Sequence, residues 1–300
     1  MPLNQKIGGA AMAETEQSRR YIWLIVLQSL LYGVMDVVSK QAYQAMSVYC
    51  FLFLRYLLAA SIMLLLWHRQ LWAELKTVPP SRYLVPGLCM STAFIFSNLA
   101  LVFTSATNLS FLRSLSALIV PLLALLFYRQ AYRRRDLILQ GFMLVGLYLL
   151  CAKGGLGRFG LGEVLALTAA TLVAGSLVFG KETLRFVSAK TLSFVQTLLA
   201  VLFCGCAAAV SGSLGDAALA GRPELLAALL YAAVGCTIVG YLLQNVALKH
   251  ISAQQIGIVQ CLYPIATALL AFAVLGEALS PAGLLGAAII TGCVLLENAL

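Results

Sequence analysis

The chain contains one pattern twice. Displaced by 141 positions, residues 39–59 align with residues 180–200 without a gap. Lys40 falls on Lys181, Ser47 on Ser188, Phe53 on Phe194 and Leu57-Leu58-Ala59 on Leu198-Leu199-Ala200. A second match, at a displacement of 147, sets Ser105-Ala106 on Ser252-Ala253 and Gln130 on Glu277. A duplicated chain is expected to fold as two copies of one unit. How the copies face each other depends on how often each crosses a membrane.

Composition calls for that membrane. The chain is 62% hydrophobic and 10% charged, with mean hydropathy +0.95. A soluble chain of 300 residues cannot hide so much apolar surface. Residues 1–20 are polar and mixed in charge and run straight into a full-length apolar stretch, so no cleaved signal peptide is expected. The eight cysteines are scattered through apolar runs and read as small packing residues. Cys204-x-Cys206 has no histidine near it, so neither a metal site nor a disulfide framework is expected. The net charge of +9 sits in short loops between apolar segments, a pattern of topology signals and not of nucleic-acid binding.

A helix needs about 20 apolar residues to cross a hydrocarbon core ~30 Å thick. Ten segments qualify: 21–38, 48–67, 83–103, 109–128, 137–152, 162–184, 191–211, 225–248, 254–275 and 282–300. Turn formers and charges separate them, as at Pro79-Pro80-Ser81-Arg82, Arg133-Arg134-Arg135-Asp136 and Gly221-Arg222-Pro223-Glu224. With the N-terminus inside, the inner segments hold fourteen Lys and Arg and the outer loops four, while Arg55 and Arg113 lie within spans. The expected fold is therefore an all-α polytopic membrane protein with both termini cytoplasmic. It has an N-terminal tail (1–20), a first five-helix repeat (21–152), a linker (153–161) and a second five-helix repeat (162–300). An odd number of spans per copy makes the second enter from the opposite side, an inverted repeat with its site near the midplane.

Particular residues carry a family likeness. Tyr32-Gly33, Lys40 and Arg55-Tyr56-Leu57-Leu58-Ala59 resemble the WG…K…R-x-x-x-A pattern of EamA-type members of the drug/metabolite transporter superfamily. Ala106-Thr107-Asn108-Leu109-Ser110-Phe111-Leu112, with Pro121 following, is similar to the signature of that family's fourth helix. Ser252-Ala253, Tyr263-Pro264 and Leu275-Gly276-Glu277-Ala278-Leu279 resemble the closing motif of its second repeat. Tyr32 stands where the family usually has Trp, and Gln130 where it has Glu. The resemblance spans about residues 21–298 and implies a ten-helix basket moving small organic solutes, often outward, in a bacterial cytoplasmic (inner) membrane.

Ionisable side chains within spans cost ~2.5–3.5 kcal/mol on insertion scales, so each is a functional candidate. Of the eleven acids only Asp36 lies clearly within a span, with Lys40 one turn further on. Arg55 lies about two turns into the second span and Arg113 about one turn into the fourth. Two readings compete. Asp36 can pair with a nearby cation and simply neutralise it. Alternatively, the surplus arginine charge binds an anionic group of the substrate through its two-pronged fork, with Asp36 binding an amine or carrying a proton.

The repeat sets Gln196 against Arg55 and Gln260 against Arg113. These neutral groups can hydrogen-bond a solute from the second half, or serve as glue between helices. Asn98, Tyr32, Tyr56 and Tyr263 are further lining candidates. Pro121 and Pro264 mark possible breaks in gating helices.

The expected activity is secondary transport by alternating access, in the outward direction, of a small metabolite such as an amino acid or related carboxylate. Partners are that solute and the bilayer, with counter-transport of a proton or a second solute; no cofactor or nucleic acid is implied, and oligomeric state is left open. No GxxxxGK[ST] loop is present to use ATP. An intramembrane enzyme is the rival class, but the two histidines, His68 and His250, fall at inner helix ends. A channel or lipid-handling protein is a third, made less suitable by the lack of a charged pore ring.

Overall fold

The computed structural model describes residues 2–129, 134–151, 160–275 and 281–299. Gln130, Glu277 and most of the expected linker lie outside the described residues. The described chain is helical: α1 (Pro2–Ala42), α2 (Val48–Thr77), α3 (Leu84–Phe103), α4 (Ala106–Ser114), α5 (Ser116–Tyr128), α6 (Arg134–Cys151), α7 (Leu161–Thr183), α8 (Ala189–Val210), α9 (Pro223–Leu230), α10 (Gly240–His250), α11 (Ala253–Gln260), α12 (Tyr263–Leu275) and α13 (Pro281–Ala299). A π-helical stretch, Tyr231–Val239, joins α9 to α10.

Among the described residues eight helices are long and apolar enough to cross a membrane. The segments expected at 137–152 and 282–300 hold shorter apolar helices, Leu137–Leu149 and Pro281–Leu296. All-helical structure is what an apolar solvent selects, because each helix satisfies its own backbone polar groups.

The sequence matches between the halves have local structural meanings. Ser105 and Ser252 are N-caps: their hydroxyls accept from the backbone N–H of Asn108 at 3.0 Å and of Gln255 at 3.1 Å. Lys181, the match of Lys40, reaches the end of α10, where its Nζ donates to the carbonyls of Leu248 (2.8 Å), Lys249 (3.2 Å) and Ile251 (2.8 Å). A cation there satisfies the orphan carbonyls of a helix C-terminus. Lys181→Met should therefore fray the end of α10 and cost about 1 kcal/mol, read as a fall in melting temperature of the detergent-solubilised protein.

Packing follows the same duplication. α2 lies against α8 and α6 against α13, so these helices pack on their own counterparts. Elsewhere the partners are exchanged. α7 packs on α3, α4 and α5; α1 packs on α10 with its π stretch and on α11 and α12.

The fourth and ninth segments are each interrupted, at Leu115 between α4 and α5 and at Cys261–Leu262 between α11 and α12. The second break lies just before Pro264, the second residue of α12. The first falls upstream of Pro121, which sits inside α5. Pro121 has no N–H for the Ala117 carbonyl four residues back. Gln140 of α6 satisfies that carbonyl, its Nε2 donating at 3.1 Å, so Pro121 needs no break of its own. The two interruptions meet, with Cys261 Sγ 3.9 Å from the Ser114 carbonyl oxygen.

Candidate functional site

Beside that meeting point lies a cavity of about 20 Å³. Its lining includes three pairs of repeat counterparts: Tyr32 with Val173, 141 positions apart, and Arg113 with Gln260 and Ser116 with Tyr263, each 147 apart. The cavity thus lies where the two copies face each other. Its volume suits about one water molecule.

Arg113 dominates the cavity. Its guanidinium carbon lies 4.4 Å from the ring centre of Tyr263, 5.2 Å from Phe94 and 5.7 Å from Tyr32. Aromatic faces hold a cation electrostatically but leave its five N–H donors free. Among the described residues Arg113 donates no hydrogen bond within this cage. The cage is fixed by close packing: a Cβ at Gly240 would come within 2.8 Å of the Tyr32 ring, so only glycine lets α10 lie flat on that tyrosine. The hydroxyls of Tyr32 and Tyr263 are buried and have no hydrogen-bond partner among the described residues.

Two glutamines of the lining, Gln244 and Gln260, are joined through a third, Gln28. Gln28 Nε2 donates to the Gly240 carbonyl at 3.1 Å and to Gln244 Oε1 at 2.9 Å. Gln260 Nε2 donates to Gln28 Oε1 at 3.1 Å and Gln244 Oε1 at 3.0 Å. Gln28, Tyr32 and Asp36 follow one another at four-residue spacing, a polar stripe along one face of α1. Sequence reasoning missed Gln28, although that spacing was available to find it.

Asp36 is buried, and its Oδ2 has no hydrogen-bond partner among the described residues. Arg113 and Arg55 lie within electrostatic reach of it. Arg55 is 1% exposed and is committed across the halves. Its Nε donates to Thr237 Oγ1 at 2.8 Å, within the π-helical stretch, and its guanidinium lies 5.1 Å from the Tyr56 ring. Among the described residues one Arg55 nitrogen, Nη2, and the hydroxyls of Tyr56 and Tyr241 are buried without a hydrogen-bond partner. A membrane interior seldom leaves so many polar atoms unsatisfied unless water or a solute reaches them.

Asn98 and Gln196 stand apart from the cavity lining. Asn98 accepts from Tyr43 Oη at 2.6 Å and donates to the Phe94 carbonyl at 2.7 Å. Gln196 accepts from Asn245 Nδ2 at 2.9 Å, and Asn245 also donates to Ser193 Oγ at 2.9 Å. These amides join helices. The structure thus gathers Tyr32, Arg113, Gln260 and Tyr263 around one cavity. Asp36, Arg55 and Tyr56 are buried within the same electrostatic neighbourhood, while Asn98 and Gln196 bind neighbouring helices. Among the described residues no three His, Cys, Asp or Glu side chains converge as metal ligands would.

The model of the EamA-like transporter family matches twice, at residues 19–152 and 160–298. An uncharacterized transporter of Archaeoglobus fulgidus is 28% identical over 85% of this chain and 89% of its own length. Another from that organism is 23% identical over 91% of this chain and 84% of its own. A crystal structure only 14% identical shares the fold, with a TM-score of 0.74 over 93% of this chain and 96% of that one.

Proposed function

The chain belongs to the EamA-like transporter family, and we propose that it is a secondary transporter exporting a small organic carboxylate, such as an amino acid, by alternating access. It is a multi-pass membrane protein and a transporter of the EamA kind. In our reading α6 and α13 complete ten spans, and residues 21–152 and 162–300 are inverted repeats joined by the linker. Both termini face the cytoplasm of a bacterial cell. Two backbone contacts support the alternation. Ser47 is held by Asp216 and Ser188 by Glu74, and each pair falls on one face under the ten-span topology.

One observation carries the substrate class: the Arg113 guanidinium, set among three rings and hydrogen-bonded to none of the described residues, lines a cavity between the copies together with Gln260. A planar donor fork suits a carboxylate, which can accept two parallel hydrogen bonds. Tyr32 and Tyr263 supply hydroxyls, and Asp36 is placed to take an amine or a proton, the latter allowing exchange against the proton gradient.

The test is a thermal-shift screen of amino acids, other carboxylates and carboxylate-free amines on purified protein, followed by uptake into proteoliposomes. Carboxylates should raise the melting temperature, and the best of them should show saturable uptake accelerated by the same solute on the far side. Stabilisation by amines alone would overturn the carboxylate reading. Uptake that neither saturates nor responds to solute on the far side would overturn the transporter mechanism.

A further inference from the structure

The paired helices α2 and α8 are tied at both ends by the same device. At one end, Asp216 Oδ2 accepts from the backbone N–H of Ser47, the residue preceding α2, at 3.0 Å. At the other, Glu74 Oε2 accepts from the backbone N–H of Ser188, the residue preceding α8, at 2.7 Å. Gln70 Nε2 steadies the second carboxylate through Oε1 at 3.0 Å. Ser47 and Ser188 are repeat counterparts. Glu74 follows Ser47 by 27 positions and Asp216 follows Ser188 by 28. The acids thus occupy equivalent places to within one residue. Yet Glu74 rides on the helical end of α2, whereas Asp216 lies in a separate 3₁₀ stretch after α8. Two different local structures deliver the same carboxylate to the same N–H.

Each bond joins one half to the other. The first ties the α1–α2 turn to the segment after α8; the second ties the α7–α8 turn to the end of α2. A carboxylate at a helix N-terminus makes a charge-assisted bond and meets the positive end of the helix dipole. Rocking two halves about a central site opens one face while closing the other, and in this structure both bonds are made at once.

We propose that Asp216 and Glu74 are opposed gate latches: release of the Asp216–Ser47 bond accompanies opening to the outer face, and release of the Glu74–Ser188 bond opening to the inner face. This rests on the alternating-access reading but needs no knowledge of the solute.

The test uses the full chain with its native cysteines replaced, a reporter cysteine in the cavity (Ser116→Cys), and an impermeant maleimide added to either side of oriented proteoliposomes. Asp216→Asn keeps the shape and removes the charge. It should raise labelling from the outer side about fivefold and lower it from the inner side. Glu74→Gln should do the reverse. Ser47→Pro is the check should the acid variants fold poorly. Ser47 already has φ −55° and makes no side-chain cap, so proline fits its φ while removing the N–H that Asp216 holds; it should reproduce Asp216→Asn. Shifts in the same direction for both acids, or no shift, would overturn the latches. Because no solute is added, a wrong substrate class leaves the result intact. A reversed topology would exchange the two faces while leaving the effects opposite.

Discussion

Arg113→Gln is expected to abolish measurable solute binding while the protein still folds. The substitution turns position 113 into a copy of its repeat counterpart Gln260, so the cavity keeps its polarity and loses its charge. A hydrogen bond to a charged group contributes about 1.5–3 kcal/mol, and a bidentate carboxylate would lose two. The expected loss of affinity is at least ~10- to 100-fold, read as disappearance of the ligand-induced thermal shift and of saturable uptake. Arg113→Lys should recover part of the loss, because the charge returns without the planar fork.

Arg55→Gln provides the contrast. Arg55 already spends Nε on Thr237, so its removal should lower the melting temperature and leave the affinity of the folded fraction close to that of the parent. Retained binding and transport in the Arg113 variant would refute the anion site outright.

The contrast between these arginines also marks how far sequence alone reaches. Apolar segments and their breaks are set by the bilayer and by turn chemistry, both local, so the helices were legible. Among the described residues the apolar helices of the fifth and tenth segments run over Leu137–Leu149 and Pro281–Leu296. Pairing Arg113 with Gln260 was legible from the repeat, since the two are counterparts and both line the cavity. The same logic applied to Arg55 and Gln196 leads elsewhere: Gln196 is taken up by Asn245 and Arg55 by Thr237. Which counterparts come together depends on helix rotation and packing.

Gln28 and Asn98 illustrate the same limit, each a single amide in an apolar run. One joins the glutamines of the cavity lining, while the other ties α3 to the residue after α1, Tyr43. Only the four-residue spacing of Gln28, Tyr32 and Asp36 distinguishes the first. Pro121 shows a local rule answered at a distance, with its unpaired carbonyl taken by Gln140 from another helix.

Gly33→Val is expected to yield no correctly packed protein, and Gly33→Ala to yield a destabilised one. An added Cβ at Gly33 would sit 2.6 Å from Ala266 Cβ, 3.0 Å from the Thr267 nitrogen and 3.1 Å from the Ala266 carbonyl carbon. Comfortable carbon contacts begin near ~3.5 Å, so α1 and α12 would have to move apart. Two of the three obstructing atoms are backbone and cannot turn aside. The crossing joins the first copy to the second. It stands beside the cavity, between Tyr32 on α1 and Tyr263 on α12, so the displacement would also loosen the aromatic cage around Arg113.

Overpacking of this kind costs about 1–3 kcal/mol. The better helix propensity of alanine returns up to ~1 kcal/mol, leaving a melting-temperature loss of roughly 2–10 °C for Gly33→Ala. Ala266→Gly in the Gly33→Ala background removes the 2.6 Å contact and leaves the two backbone contacts, so recovery should be partial. Full recovery would place the strain in the side chain alone. No recovery would mean that Gly33 serves something other than the approach of α1 to α12. Partial recovery, with solute binding restored less completely than stability, is the outcome that ties this crossing to the cavity it supports.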